Sequence, residues 1–250
     1  MRRVGCARAV VGTRRARSAS CLAVIALLGL IAGGGLARAA NPTQDAAPST
    51  RTWHATTVVS SRVGHRIIHY WSKGSSLRAE TLIAGHPIVT IVRGDRYLAI
   101  DRLTGEGLDI ARSPRARAED GKRERPFGNE LEEVRAAGGE KVDELRQSGV
   151  STEVWRVTDA KTRRTVWVST REPRVPVRYE IYVRGGGDTI TTDYANWGFD
   201  LEIPDRFFAT PEDLALERLD YETYLSRSQE GPVGAVPVLY PDLLHGGPLP

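Results

Sequence analysis

Five histidines, His54, His65, His69, His86 and His245, are the side chains best suited to acid–base or metal chemistry. His54 and His69 would share a face of a first hairpin turning at Val63-Gly64. Two histidines with no nearby carboxylate or cysteine make a poor metal site, so they read as surface residues of strands. Asp95 and Asp101 flank a predicted strand, a spacing that paired carboxylates often show by chance. Gly185-Gly186-Gly187 reads as a hairpin turn rather than a phosphate cradle. The sequence holds no Gly-x-Ser-x-Gly, no His-Glu-x-x-His and no phosphate-binding glycine loop. Its two cysteines, Cys6 and Cys21, fall in a segment expected to be removed, so no Cys nucleophile or Cys-based zinc site is expected. The expectation is a non-enzyme with no catalytic residue, no metal and no cofactor. A hydrolase with catalytic groups scattered in sequence is the enzymatic alternative.

The aromatic residues carry more information. All five tryptophans, Trp53, Trp71, Trp155, Trp167 and Trp197, fall in runs that read as strands. The first runs are 53–61, 65–73, 76–83, 87–93, 96–101 and 107–110, separated by glycine-bearing turns. They resume at 140–146, 150–158, 163–169, 177–183 and 189–197. Spacings of about ten residues indicate an antiparallel meander. A turn at Ala160-Lys161 places Trp155 opposite Val166 and Val157 opposite Arg164. A connection around Glu172-Pro173 places Val166 opposite Tyr179 and Val168 opposite Val177. The glycine turn brings Ile181 opposite Ile190. One face then carries Trp155, Val157, Val166, Val168, Val177, Tyr179, Ile181, Ile190 and Tyr194. The other carries Arg156, Trp167, Arg178, Glu180 and Tyr182, with Trp167 and Arg178 as a cation–π pair. A one-residue slip would reverse both faces.

Between the two sets, 111–127 is charged, contains Pro114 and Pro126, and reads as a long loop that could meet a partner. Asn129 with Glu132 resembles a capping box opening a helix over 130–137. Thr210 and Pro211 predict a second helix reaching to about residue 227. The tail 231–250 has five prolines, and its apolar residues predict a docked segment. Two helices are few for the apolar face of ten or eleven strands. The uncovered part would be a concave apolar cleft suited to an acyl chain, lined by Trp155, Val166, Val168, Tyr179, Ile181 and Ile190.

Charge and hydropathy set the compartment. The 250 residues carry a formal net charge of +4. Seven arginines and no acid lie in residues 1–40, leaving 28 basic and 31 acidic residues beyond them. The basicity thus belongs to the leader, which argues against nucleic acid as a partner. Residues 21–33 are an apolar stretch of signal-peptide length, followed by Ala37-Arg38-Ala39. Cleavage near Ala39 or Ala40 and a periplasmic location are expected, with retention of the segment as an uncleaved N-terminal anchor as the alternative. No apolar run of membrane-spanning length follows residue 40. The expected domains are a signal peptide at 1–40, a linker at 41–51, a half-barrel domain at 52–228 and a docked tail at 229–250.

Several segments, in order, resemble the periplasmic lipoprotein-carrier superfamily, the LolA/LolB-like outer-membrane lipoprotein-sorting proteins. They are Tyr70-Trp71-Ser72-Lys73-Gly74 leading into Leu77-Arg78-Ala79-Glu80, then Ile91 to Leu98 around Gly94-Asp95. Val166-Trp167-Val168 with Val175-Pro176-Val177-Arg178 follows, and Trp197 with Ile203-Pro204-Asp205 and Phe207-Phe208 closes the pattern. The resemblance spans roughly 53–210. It implies a mainly β fold, a half-open antiparallel barrel of about ten or eleven strands with lid helices. It also implies non-enzymatic binding of lipid or lipoprotein acyl chains. The loop 111–127 and the tail lie outside the family's pattern. They admit a second reading, an envelope sensor or protein-interaction module on the same fold.

Overall fold

A computed structural model describes residues 51–211 and 214–247. The signal-peptide and cleavage expectations lie outside these residues. The first meander is β1 (Thr52–Ser61), β2 (Gly64–Lys73), β3 (Ser76–Ile83), β4 (His86–Arg93), β5 (Arg96–Asp101) and β6 (Glu106–Ala111). Two helices follow, α1 (Pro114–Asp120) and α2 (Glu130–Ala136). The second meander is β7 (Glu140–Gln147), β8 (Val150–Thr158), β9 (Thr162–Ser169), β10 (Pro176–Val183) and β11 (Thr189–Phe199). The chain ends in β12 (Ala215–Leu219), α3 (Tyr221–Glu230) and α4 (Pro241–His245).

All twelve strands form one sheet in the order β12-β6-β5-β4-β3-β2-β1-β11-β10-β9-β8-β7. It starts and ends on different strands, so it is a half-open barrel. Turn chemistry fixes its register. Trp155 faces Val166 and Val157 faces Arg164, Tyr179 faces Val166 and Ile181 faces Ile190, as the turn lengths predict. One pairing differs. Val168 meets Pro176, and a bulge before Arg178 displaces Val177, because proline has no N–H for the ladder. The Arg178 guanidinium lies 5.8 Å from the Trp167 ring.

Three local expectations are corrected. Residues 111–127 are not all loop, because Pro114 and Ser113 start α1. The Ser113 hydroxyl accepts from Ala116 N at 2.9 Å. Asn129 makes no side-chain cap; its amide donates to the Arg125 carbonyl at 2.8 Å instead. The helix predicted from residue 211 begins only at Tyr221, capped by Asp220, whose carboxylate accepts from Thr223 N at 2.8 Å. Ala215–Leu219 becomes a strand parallel to β6. There Leu216 packs on one face of the sheet and Leu219 on the other.

Close packing between β5 and β12 leaves no room for a side chain at Gly107. A Cβ there would sit 2.3 Å from the Ala99 carbonyl oxygen and 2.9 Å from Leu216 Cδ2. Gly107→Ala is expected to lower stability by about 1–3 kcal/mol. Urea denaturation would show a lower midpoint with an unchanged slope.

The central strands are buried on both sides. Ile88, Val89, Ile91 and Val92 are all buried, with Thr90 buried between them, which accounts for apolar residues on both faces of β4. Outside, Val89, Ile91, Leu98 and Ile100 pack with Phe208, with Ile203, Phe207 and Leu214 around them. Inside, Trp53, Leu77, Val92, Tyr97 and Leu108 pack against Tyr224, Val236, Leu243 and Leu244. The concave face is therefore filled by the chain's own C-terminal segment, where the strand count had predicted an open cleft.

Candidate functional site

The inner face positions an aromatic series. Alternation along β1, β2 and β11 points Trp53, Tyr70 and Tyr194 inward. Phe127 stacks between Tyr70 at 4.9 Å and Trp197 at 5.7 Å. Trp197 also stacks on Tyr194 at 5.2 Å, and Tyr240 meets Tyr70 edge-on at 5.8 Å. The Arg125 guanidinium lies 4.6 Å from the Trp53 ring and 5.5 Å from the Trp197 ring. Gly128, at φ +71°, lets the chain pass Trp197, since a Cβ there would be 2.8 Å from the indole.

A cavity of about 160 Å³ sits among these rings, lined by Tyr70, Phe127, Glu130, Glu133, Tyr194, Tyr240 and Asp242, with Arg123 at its wall. Glu130 accepts a hydrogen bond from the Tyr194 hydroxyl. Its other carboxylate oxygen, Oε2, is shut off from solvent and has no partner. Burial pushes the Glu130 carboxyl up to about 7 against the stabilising Tyr194 bond. Burial also raises Tyr194 well above the usual phenol range, and the neighbouring Glu130 adds to it. Arg123 lies 3.4 Å from Asp242. With Asn129 and Glu133 it separates the cavity from a surface groove of about 360 Å³.

The tail that closes the interior hangs on a few polar ties. Arg112, its side chain 1% exposed, donates to the Leu243 carbonyl at 2.7 Å and the Gly94 carbonyl at 2.7 Å. It also grips Asp120 through both carboxylate oxygens, at 2.7 and 2.8 Å. The Ser113 hydroxyl donates to the His245 carbonyl at 2.9 Å. The Tyr97 hydroxyl accepts from Tyr240 N at 3.1 Å.

The expected cleft residues divide. Trp155, Val166, Val168 and Tyr179 gather beneath Leu131 and Val134 of α2, and Arg135 lies 4.2 Å from the Trp155 ring. Ile181 and Ile190 pair with each other apart from that cluster, and Ile190 is 38% exposed. Tyr240 packs against the core as part of the docked tail that its apolar residues predict, whereas Tyr70, Phe127, Glu130 and Arg112 carry no such expectation. The alternation that placed Tyr194 on the inner face also marks Tyr70, but nothing local marks Glu130 or Arg112.

The histidines are dispersed. His54 and His69 lie against Trp71, at 5.2 and 5.9 Å. His86 meets Asp101 at 2.6 Å and His65 meets Ser60 at 2.9 Å. Both pairs lie at the end of the sheet that carries the β1–β2 and β3–β4 turns, on different strands. Among the described residues no group of three or more His, Cys, Asp or Glu could hold a metal.

Fold and interior together define a half-open β-barrel with lid helices and a plugged concave face. No protein-family model matches the chain, and no curated protein matches it. Solved structures give likenesses of fold. An uncharacterised conserved protein from Thermus thermophilus is 11% identical, with a TM-score of 0.49, over 68% of this chain and 91% of that one. The Pseudomonas aeruginosa MucA/MucB complex is 11% identical at a TM-score of 0.45, over 68% of this chain but only 59% of that one. A putative outer membrane lipoprotein-sorting protein domain from Vibrio parahaemolyticus is 11% identical at 0.31, over 66% and 91%. That last domain bears the name of the family the sequence resembles. All three TM-scores fall below 0.5, so the functional reading rests on this chain's own residues. No helix among the described residues is long and apolar enough to cross a membrane.

Proposed function

We propose that the chain is an exported, periplasmic, non-enzymatic carrier that takes acyl chains of lipids or lipoproteins into its barrel when the C-terminal segment moves out. The observation that carries this reading is how the interior is covered. An apolar concave face is closed by a proline-rich segment with one five-residue helix, α4, tied at Arg112, Ser113 and Tyr97. Val233, Val236, Leu243 and Leu244 are its buried apolar residues. Re-exposing four such side chains costs roughly 6–12 kcal/mol, while burying a sixteen-carbon chain gains about 12 kcal/mol. The exchange is near balance, which suits loading and release. Trp155, Val166, Val168 and Tyr179 would extend the cleft if α2 lifted, with Ile181 and Ile190 at its rim.

The test compares the chain with a version ending at Glu230, both checked for folding by circular dichroism. A fluorescent sixteen-carbon fatty acid is expected to bind the shortened chain at least tenfold more tightly, and palmitoylated peptide to compete. No binding to either version would overturn the reading. The second reading, an envelope interaction module, is favoured by the charged groove of Lys122, Arg123, Glu124 and Glu132, which lies on and beside the segment 111–127.

A further inference from the structure

We infer that the cavity between β2, β11, α2 and α4 is a binding site for a small alkylammonium group, of the size of ethanolamine or choline. The lining supports this chemistry on three counts. Four aromatic residues, Tyr70, Phe127, Tyr194 and Tyr240, line one small space; Phe127 has Tyr70 and Trp197 on its two faces, so the tyrosine rings are the ones to attract an ammonium cation once water is excluded. The same space is bordered by the carboxylates of Glu130, Glu133 and Asp242. Glu130 Oε2 is buried with no hydrogen-bond partner, which a buried acceptor does not sustain without cost. A volume of about 160 Å³ suits a head group of a few non-hydrogen atoms and is too small for an acyl chain.

The local charges leave room for a cation. Arg123 is the basic residue in the wall, and Asp242 already engages it. Arg125 lies behind the cavity, donating to the Gly128 carbonyl and to Glu124. The groups facing Glu130 are Tyr194 from β11, Tyr70 from β2, Tyr179 from β10, Glu133 from its own helix, and Arg125. Entry is from the surface groove past Arg123, Asn129 and Glu133. The site does not depend on acyl binding: the head group could be free or carried on a lipid.

The test is calorimetric titration of the full chain with choline, ethanolamine and the uncharged choline isostere 3,3-dimethylbutanol. Both ammonium probes are expected to bind, the isostere at least tenfold more weakly than choline. Choline affinity should fall about tenfold between pH 8 and pH 6 as Glu130 takes up a proton. Glu130→Gln should remove most of the binding at pH 8 together with that pH dependence, and Glu133→Gln should weaken binding less. Lysophosphatidylcholine binding more tightly than choline assigns the head group to a lipid; equal affinity assigns a free ammonium compound. No heat from choline or ethanolamine at 50 mM, or equal binding of the isostere, overturns the site and leaves water as its occupant. A chain that binds choline but never a fatty acid keeps this site and loses the carrier reading.

Discussion

Glu130→Gln is expected to stabilise the protein at pH 8 and to leave it nearly unchanged at pH 4. The folded chain holds the Glu130 proton up to about 7, against an ordinary value of 4.5. Between those values the folded state binds more protons than the unfolded one, so stability declines as pH rises through that window. Above it, the full cost of an ionised buried carboxylate is present, about 3 kcal/mol. Glutamine keeps the shape and an acceptor for the Tyr194 hydroxyl but carries no charge. At pH 8 the substituted protein should melt on the order of 5–10 °C higher. His245, lowered by burial, titrates in both proteins, so the difference between the two melting curves reports Glu130 together with its coupling to Glu133, itself raised by burial. Curves that run parallel from pH 4 to pH 8 would contradict this account. The gain in stability also keeps the binding test clean, since a lost ligand could not be blamed on unfolding.

Arg112→Ala is expected to have the opposite sign and a similar or larger size. The guanidinium joins the β4–β5 turn at Gly94, α1 at Asp120 and α4 at Leu243. Its removal leaves two carbonyls and a carboxylate without their buried partner. Breaking a buried pair from one side costs about 3–5 kcal/mol. Lysine would not restore it, because one ammonium cannot reproduce the bidentate grip. Hydrogen exchange should quicken first at 241–247, while the amides of β4 and β5 stay protected. A loss below about 1 kcal/mol would show that the tail is held by apolar packing alone. It would also turn attention to Leu243 and Leu244 as the groups that govern release.

The sequence was most informative where the information is local. The turn at Ala160-Lys161 is enough to set Trp155 against Val166, and the glycine turn sets Ile181 against Ile190. Alternation then assigns the faces. The bulge at Pro176 was missed because it depends on which neighbour lacks an amide donor. β12 was read as helix because Thr210-Pro211 is a strong local start signal, while its parallel partner β6 lies about 110 residues away. Asp220, the residue that does cap α3, was hidden inside the longer helix. The filled interior was illegible for the same reason. Arg112 and Glu130 look like surface charges in a charged stretch, and only the distant residues Leu243 and Tyr194 make them internal.

The seam between β1 and β11 also constrains how the chain can fold. Within each meander the strands pair with near neighbours, so each meander can form as its residues emerge, while the outer edge of β6 waits about 110 residues for β12. β1 finds its second partner only when β11 arrives, about 130 residues later. At ordinary rates of synthesis that delay is on the order of ten seconds. During it, the ten residues Thr52–Ser61 hold one full row of open amides and carbonyls beside an apolar inner face. Among the strands that wait, the longest exposed during synthesis is therefore the first strand of the sheet.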